Sequence, residues 1–353
     1  MRYLIVTYDD YFNIPYIQYY ERHLRKHNHE YDIVLWNRSG HDVNMPNSFV
    51  YAGKDHHSKL GKVIPFLGWR RFVLKVLREQ HYDRLIILTT MPAILLTDKL
   101  LGEYRGRYWF DIRDFTYEDV RLYKNLVGKL VRAASAVSIS SPAFRTFLPD
   151  ADNIFLTHNI SNQEFAEKHC QMDIHKKPLR IGFVGGIQFV EQNRLLLRQF
   201  ANHPDYQLRY VGKAHLGCDL KPFCDENGIQ NADFFPAFTN DQKPAIYQDI
   251  QLINCVYGNN NQVVRLLLPN RLYDCVLFKK PMLVSKGTYL EQIITEYNLG
   301  IAVDAENENV VQTVDHYLEN FDHQAFEDGC KRFLERVDVD VTAYTEALLR
   351  FCP

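Results

Sequence analysis

The 353-residue sequence lacks the marks of several large protein classes. Its seven cysteines, at 170, 218, 224, 255, 275, 330 and 352, form no CxxC pair and no cysteine–histidine cluster at zinc spacing, so neither a disulfide scaffold nor a zinc module is indicated. Scattered cysteines, odd in number, fit a reducing compartment, and a cytoplasmic protein is expected. No stretch approaches eighteen uninterrupted apolar residues. The opening MRYLIVTYDD has only five or six before two acids, short for a signal peptide and far short of a membrane span. A formal net charge of −2 argues against a nucleic-acid binder. The fourteen histidines include no HExxH, the adjacent His56 and His57 have no evident third partner, and no metal site is expected. No glycine run forms a GxGxxG or a Walker loop.

The chain is long enough for two cores, and 46% hydrophobic residues is ordinary for a globular protein. Charge is uneven: residues 1–170 hold 23 Lys and Arg against 19 Asp and Glu, leaving 18 against 24 beyond them. Short apolar runs alternate with helical patterns, at YLIVT (3), YDIVLW (31), RLIILTT (84), RYWFDI (107), SAVSIS (135) and NIFLTHN (153). Runs apolar throughout, without period-two alternation, are what parallel strands covered on both faces look like. The polar stretch 161–178 breaks the pattern as a linker would. Alternation then resumes at LRIGFVGG (179), YQLRYVGK (206), ADFFPAF (232), IQLINCVY (250), PMLVS (281) and GIAVD (300). Two α/β domains are expected, 1–165 and 166–335, with a terminal helix over 336–353 that packs back on the first.

Residues 266–285, LLLPNRLYDCVLFKKPMLVS, hold a turn, a helix, a breaker and an apolar strand. Pro269 and Asn270 stand where the helix begins, and KKP ends it. Asn270 and Arg271 fall in the first turn, where backbone N–H groups lack intrahelical partners and anions are stabilised; Asp274 follows about one turn later. An arginine and N–H groups for phosphate, with a carboxylate for ribose hydroxyls, suit a nucleoside diphosphate. A surface helix with capping residues would look the same. Two strand ends, FVGGI (183–187) and YVGK (210–213), add Gly185, Gly186 and Lys213. Glycine past a parallel strand lets backbone approach a phosphate, and equally makes a tight turn.

LPNRLYDCVLFKKPMLVS resembles the PNKLFEYLALGKPVI segment of GT-B glycosyltransferases related to family 4. FVGGI resembles the opening of that family's second domain, NIFLTHNIS the vipNGVD lead into its interdomain linker, and WFDIRDF its D-x-RD segment. The likeness covers most of the chain in the right order. It implies an α/β GT-B fold, two Rossmann-like doubly wound domains facing each other across a cleft that forms the active site. It also implies a nucleotide-diphosphate sugar donor on the second domain, a glycan acceptor on the first, retention at the anomeric carbon, and no cofactor or obligate metal. By the same likeness the acceptor is a lipid-linked oligosaccharide of surface polysaccharide assembly. The chain departs from the pattern at three places. Asp274 replaces the usual Glu, YGNNNQVVRLLL replaces EGFG, and Gly186 and Glu191 stand near the places of the family's Arg and Lys. The cations left for a diphosphate are Arg271 first, then Arg265 and Lys213. A sugar-nucleotide epimerase and a non-catalytic partner subunit with a decayed donor site stay open as alternatives.

In the first domain, FDIRDFTYED (110–119) ends a strand with Asp111, Arg113 and Asp114. A carboxylate beside an arginine stays ionised near neutral pH and can orient a sugar hydroxyl or accept its proton. An ion pair closing a turn would use the same residues. Asp114, past the strand, is the preferred candidate, with Arg113 orienting it. Asp9 and Asp10 end the first strand and would border the same site, and His158 is either a structural hydrogen bonder or a cleft residue. Residues 56–80 interleave Lys59, Lys62, Arg70, Arg71, Lys75 and Arg78 with Phe66, Leu67, Trp69, Phe72 and Val73. That pattern suits a basic segment on an anionic membrane surface, and also an ordinary domain helix.

Overall fold

The computed structural model describes residues 1–38, 45–53, 63–160 and 173–353. His56, His57, Lys59, Lys62 and most of the expected linker lie outside the described residues. The chain divides into two compact units, Met1–His158 with Val339–Pro353, and Asn159–Asp338.

The apolar runs fold as parallel strands. In unit 1 these are β1 (Arg2–Val6), β2 (Glu30–Trp36), β3 (Ser48–Tyr51), β4 (Arg84–Leu88), β5 (Tyr108–Ile112), β6 (Ala136–Ile139) and β7 (Ile154–Leu156), in the order β3-β2-β1-β4-β5-β6-β7. Leu85 to Leu88 are all buried although successive side chains point to opposite faces, because helices cover both faces of the sheet. The helix Ile17–Lys26 shows how: it buries Ile17, Tyr20, Glu21 and Leu24 at helical spacing, and places His23, Arg25 and Lys26 in its last turn, where the helix dipole favours cations. Only β3 escaped the sequence reading; its four residues are half-buried at the sheet edge and carry no long apolar run.

Unit 2 repeats the scheme with β8 (Leu179–Val184), β9 (Tyr206–Val211), β10 (Ala232–Phe235), β11 (Leu252–Cys255), β12 (Met282–Ser285) and β13 (Gly300–Val303), in the order β10-β9-β8-β11-β12-β13. In each sheet the order reverses beside the first strand, between β1 and β4 and between β8 and β11. Ligands of doubly wound sheets bind outside the carboxyl ends at such reversals.

The helix His323–Phe351 begins in unit 2 and ends in unit 1. Its Ala347, Leu348 and Phe351 join Tyr3, Ile5, Ile17, Tyr20 and Trp109 in one core, with the Tyr344 ring edge-on to Trp109 at 5.4 Å. His158 is a structural hydrogen bonder, 3.2 Å from Asp340.

The helix Val63–Glu79 turns the aromatics of the basic segment inward. Trp69 and Val73 have no exposure, Phe66 lies 5.3 Å from Trp36, and Phe72 lies 5.7 Å from Tyr51, so the aromatic face packs into unit 1. Arg70 is drawn in as well, donating to the Leu95 carbonyl at 2.8 Å and to Asp98 at 2.9 Å. Arg71 and Lys75 remain exposed, beside Ile64 and Leu67. No helix among the described residues is long and apolar enough to cross a membrane.

Candidate functional site

In unit 2 the reversal between β8 and β11 is occupied by one side chain. Arg271 is only 6% exposed; its Nε donates to the Val184 carbonyl at 2.5 Å, and its Nη1 to the Asn254 carbonyl at 3.3 Å and the Tyr257 hydroxyl at 2.6 Å. The guanidinium lies 3.5 Å from the Phe183 ring centre and 5.4 Å from that of Tyr257. Burial opposes its charge, but Tyr257, Cys255 and Tyr247 outweigh that and its pKa is raised. All its partners are neutral; among the described residues no carboxylate pairs with it and Nη2 carries no hydrogen bond.

Nη2 is directed at Gly185, where it would lie 3.4 Å from an added Cβ. Gly185 has φ +122, a conformation side chains rarely adopt. Its neighbour loop is as close as backbone allows: a Cβ on Gly212, φ +140, would stand 2.0 Å from the Gly185 oxygen. A Cβ on Gly186 would meet His215 Nε2 at 2.7 Å. The helix Asn270–Phe278 starts beside this glycine loop with Pro269 as its N-cap and no side chain capping it; the Leu272 N–H donates to the Pro269 carbonyl at 3.0 Å, and the Asn270 and Arg271 N–H groups are left for an anion.

Of the other predicted donor residues, Asn270 is exposed and accepts from Asn159 Nδ2 at 2.9 Å. Lys213 is exposed. Arg265 is exposed and spends its Nε on the Asn259 carbonyl at 2.6 Å. Asp274 departs most from expectation. It is 2% exposed, and its carboxylate is held by Lys243 Nζ at 2.9 and 3.0 Å and by the Tyr247 hydroxyl at 2.8 Å. Buried charges need such partners, and the carboxylate read as a ribose acceptor is engaged inside the protein instead. Nothing in the local sequence QKPAIYQ announces Lys243 as its partner.

In unit 1 the structure separates the three residues of FDIRDF. Asp111 has no exposure and accepts from Tyr20 at 2.8 Å, Ser138 at 2.8 Å and Arg113 Nε at 2.8 and 3.0 Å. It is a buried foundation and does not reach a substrate, which corrects its assignment as catalytic. Arg113, also buried, spends Nε on Asp111 and lies 4.5 Å from the Tyr16 ring centre. Asp114 is the exposed member. Desolvation raises its pKa and Asp111 adds to this, while Arg113 opposes it. Asp9 Oδ1 accepts from the Asp10 N–H at 2.8 Å and from Asn13 at 3.1 Å, which fixes the turn after β1. Glu118, four residues beyond Asp114 and 2% exposed, is an acid the sequence reading passed over.

No protein-family model matches the sequence, and no curated protein does. Solved structures do match in fold. Sucrose-phosphate synthase from Thermosynechococcus elongatus superposes with a TM-score of 0.70 at 11% identity over 99% of each chain. Anabaena Alr3699/HepE in complex with UDP-glucose gives 0.67 at 13% identity, over 99% of this chain and 100% of that one. The lipopolysaccharide outer core galactosyltransferase WaaB gives 0.65 at 12% identity over 99% of each chain. At such identity the likeness establishes the fold, two parallel-sheet α/β domains of the GT-B type.

Proposed function

We propose that the chain is a glycosyltransferase whose unit 2 binds a nucleoside-diphosphate sugar and whose unit 1 binds a glycan acceptor. The observation that carries this reading is Arg271, a buried guanidinium with neutral partners only, aimed at a glycine loop beside an uncapped helix start. A buried charge without a counter-ion is unfavourable on its own, and an anionic ligand completes it. A diphosphate meets the three elements together: Arg271, the backbone at Gly185, and the helix N–H groups, which would stabilise the charge of the leaving group without an obligate metal. Structures of the same fold with UDP, UDP-glucose and UDP-2-fluoro glucose make uridine nucleotides the first donors to test. Asp274 is then a positioning residue that fixes the helix through Lys243 and Tyr247. Asp114, exposed and of raised pKa, is assigned to the acceptor hydroxyl. Retention, and a lipid-linked acceptor in surface polysaccharide assembly, follow from the resemblance to family 4 and complete the reading.

Calorimetry with UDP tests it. Arg271→Met should weaken binding at least about thirtyfold, since truncating one partner of a buried charge pair costs roughly 2–5 kcal/mol. Arg265→Met and Lys213→Met should change it little, and Asp274→Asn should lower stability more than affinity. Unchanged affinity in a folded Arg271→Met protein would sink the donor assignment. Failure of UDP, GDP, CDP and dTDP alike to bind the wild type would favour a non-catalytic subunit.

A further inference from the structure

The turn from the glycine loop into the helix Val190–Gln199 is strained. Phe189, the N-cap of that helix, has φ 57 and ψ 50, in the left-handed region. Short polar side chains tolerate that region and bulky ones do not. The chain follows this preference elsewhere: of its seven described non-glycine residues with positive φ, four are asparagine, Asn28, Asn47, Asn202 and Asn298. A phenylalanine in such a turn is kept for its ring.

The ring lies on Tyr257, with centres 4.2 Å apart and planes 17° from parallel. Tyr257 is the residue whose hydroxyl accepts from Arg271 Nη1 at 2.6 Å. Burial raises the Tyr257 pKa against the pull of Arg271, so the phenol stays neutral and leaves the guanidinium its charge. A buried amide pair fixes the same turn. Asn193, with no exposure, donates from Nδ2 to the Gln188 carbonyl at 2.8 Å and the Phe189 carbonyl at 3.1 Å, and its Oδ1 accepts from Asn254 Nδ2 at 3.1 Å. Asn254, 1% exposed, accepts at Oδ1 from the Val256 N–H at 2.9 Å, and its carbonyl accepts from Arg271 Nη1 at 3.3 Å. Two routes thus join the strained turn to one guanidinium, ring on ring through Tyr257 and amide to amide through Asn254. Both end on Nη1, while Nη2 is directed at Gly185.

We infer that Phe189 is a positioning residue of the anion site in unit 2: its ring holds Tyr257 against Arg271 and so fixes where the guanidinium presents Nη2. This role deepens the reading of unit 2 as the donor-binding unit and rests on it; Phe189 itself touches no substrate.

The test is calorimetry on the whole protein with two probes, UDP and inorganic pyrophosphate, which offers a diphosphate without base or ribose. Phe189→Asn suits the left-handed turn and loses the ring, and should weaken both probes about tenfold, the upper range of what an aromatic pair contributes. Phe189→Tyr keeps the ring and should bind both within about twofold of the wild type. In an Arg271→Met background Phe189→Asn should cost nothing further, because the two residues act as one unit. Unchanged affinity in a folded Phe189→Asn protein, a loss in Phe189→Tyr as large as in Phe189→Asn, or an undiminished further loss in the Arg271→Met background would each overturn the inference. Weakening of UDP alone would put Phe189 against the base, and would overturn it as well. A wild type that binds pyrophosphate and not UDP would strike the nucleotide reading and leave Phe189 its role; one that binds neither would strike both.

Discussion

Both units bury an arginine at the carboxyl ends of the parallel sheet, and they balance its charge in opposite ways. Arg113 meets both oxygens of Asp111, a carboxylate that Tyr20 and Ser138 also hold. Arg271 meets two carbonyls, a phenol and two aromatic faces. The spacing explains the first case: alternate residues of extended chain share a face, so Asp111 and Arg113 find each other. On a helix Arg271 and Asp274, three apart, could likewise pair. They do not, because Lys243 and Tyr247 have taken Asp274. Lys243 is thus what leaves a cation available in unit 2. In unit 1 the cation is neutralised by Asp111.

The largest effect should appear where the balance is internal. Arg113→Met leaves Asp111 charged and buried, which costs about 3–5 kcal/mol, whereas Arg271→Met removes neutral hydrogen bonds and should cost about 1–3 kcal/mol. Urea unfolding followed by probes in each unit would measure both, because a two-unit chain need not melt in one step. A more destabilising Arg271 variant would break the comparison. Partial recovery of stability in Arg113→Met combined with Asp111→Asn would sharpen it.

The fold was largely legible because parallel strands buried on both faces announce themselves as unbroken apolar runs, and twelve of the thirteen strands among the described residues did so. The site was legible in residue type and not in partnership. PNRLYD marks a helix start with an arginine and an acid, yet whether Asp274 faces a ligand depends on Lys243, thirty-one positions away in sequence and joined only by folding. The same holds for the basic segment: interleaved cations and aromatics do not say which face is turned inward, and Trp69 is inside.

A smaller effect, with a definite sign, follows from Glu118. Burial raises its pKa above 4.5, against the opposition of the Thr116 N–H and the Thr90 hydroxyl. An acid whose folded pKa is raised contributes stability that is present below about pH 4.5 and is lost as pH rises through the folded value. Glu118→Gln should therefore match the wild type in acid and become more stable than it toward neutral pH. The gain should approach about 1.4 kcal/mol for each pH unit separating the folded and unfolded pKa. Melting curves of both proteins from pH 4 to 8 check it; parallel curves would mean that its hydrogen bonds offset the burial fully.

The smallest effect concerns the membrane, which bears on unit 1 alone. With Trp69 in the core and Arg70 tied to Asp98, the helix Val63–Glu79 offers a lipid surface only Arg71, Lys75 and Arg78, beside exposed Ile64 and Leu67. Lys75 is 3.7 Å from Glu79, which takes part of its charge. Each cation near an anionic surface contributes roughly 1 kcal/mol, and the interaction decays within a Debye length of about 8 Å at physiological salt. Three cations without an aromatic anchor give weak attachment that salt removes. Flotation with anionic vesicles should succeed at low ionic strength and fail near physiological salt, and Arg71→Glu with Lys75→Glu should abolish it without changing UDP affinity. Attachment that survives salt would require the buried aromatics to turn outward and would overturn the packing of this helix. No attachment at low salt would leave the reading of unit 1 as a binder of soluble glycans, resting on the exposed Asp114.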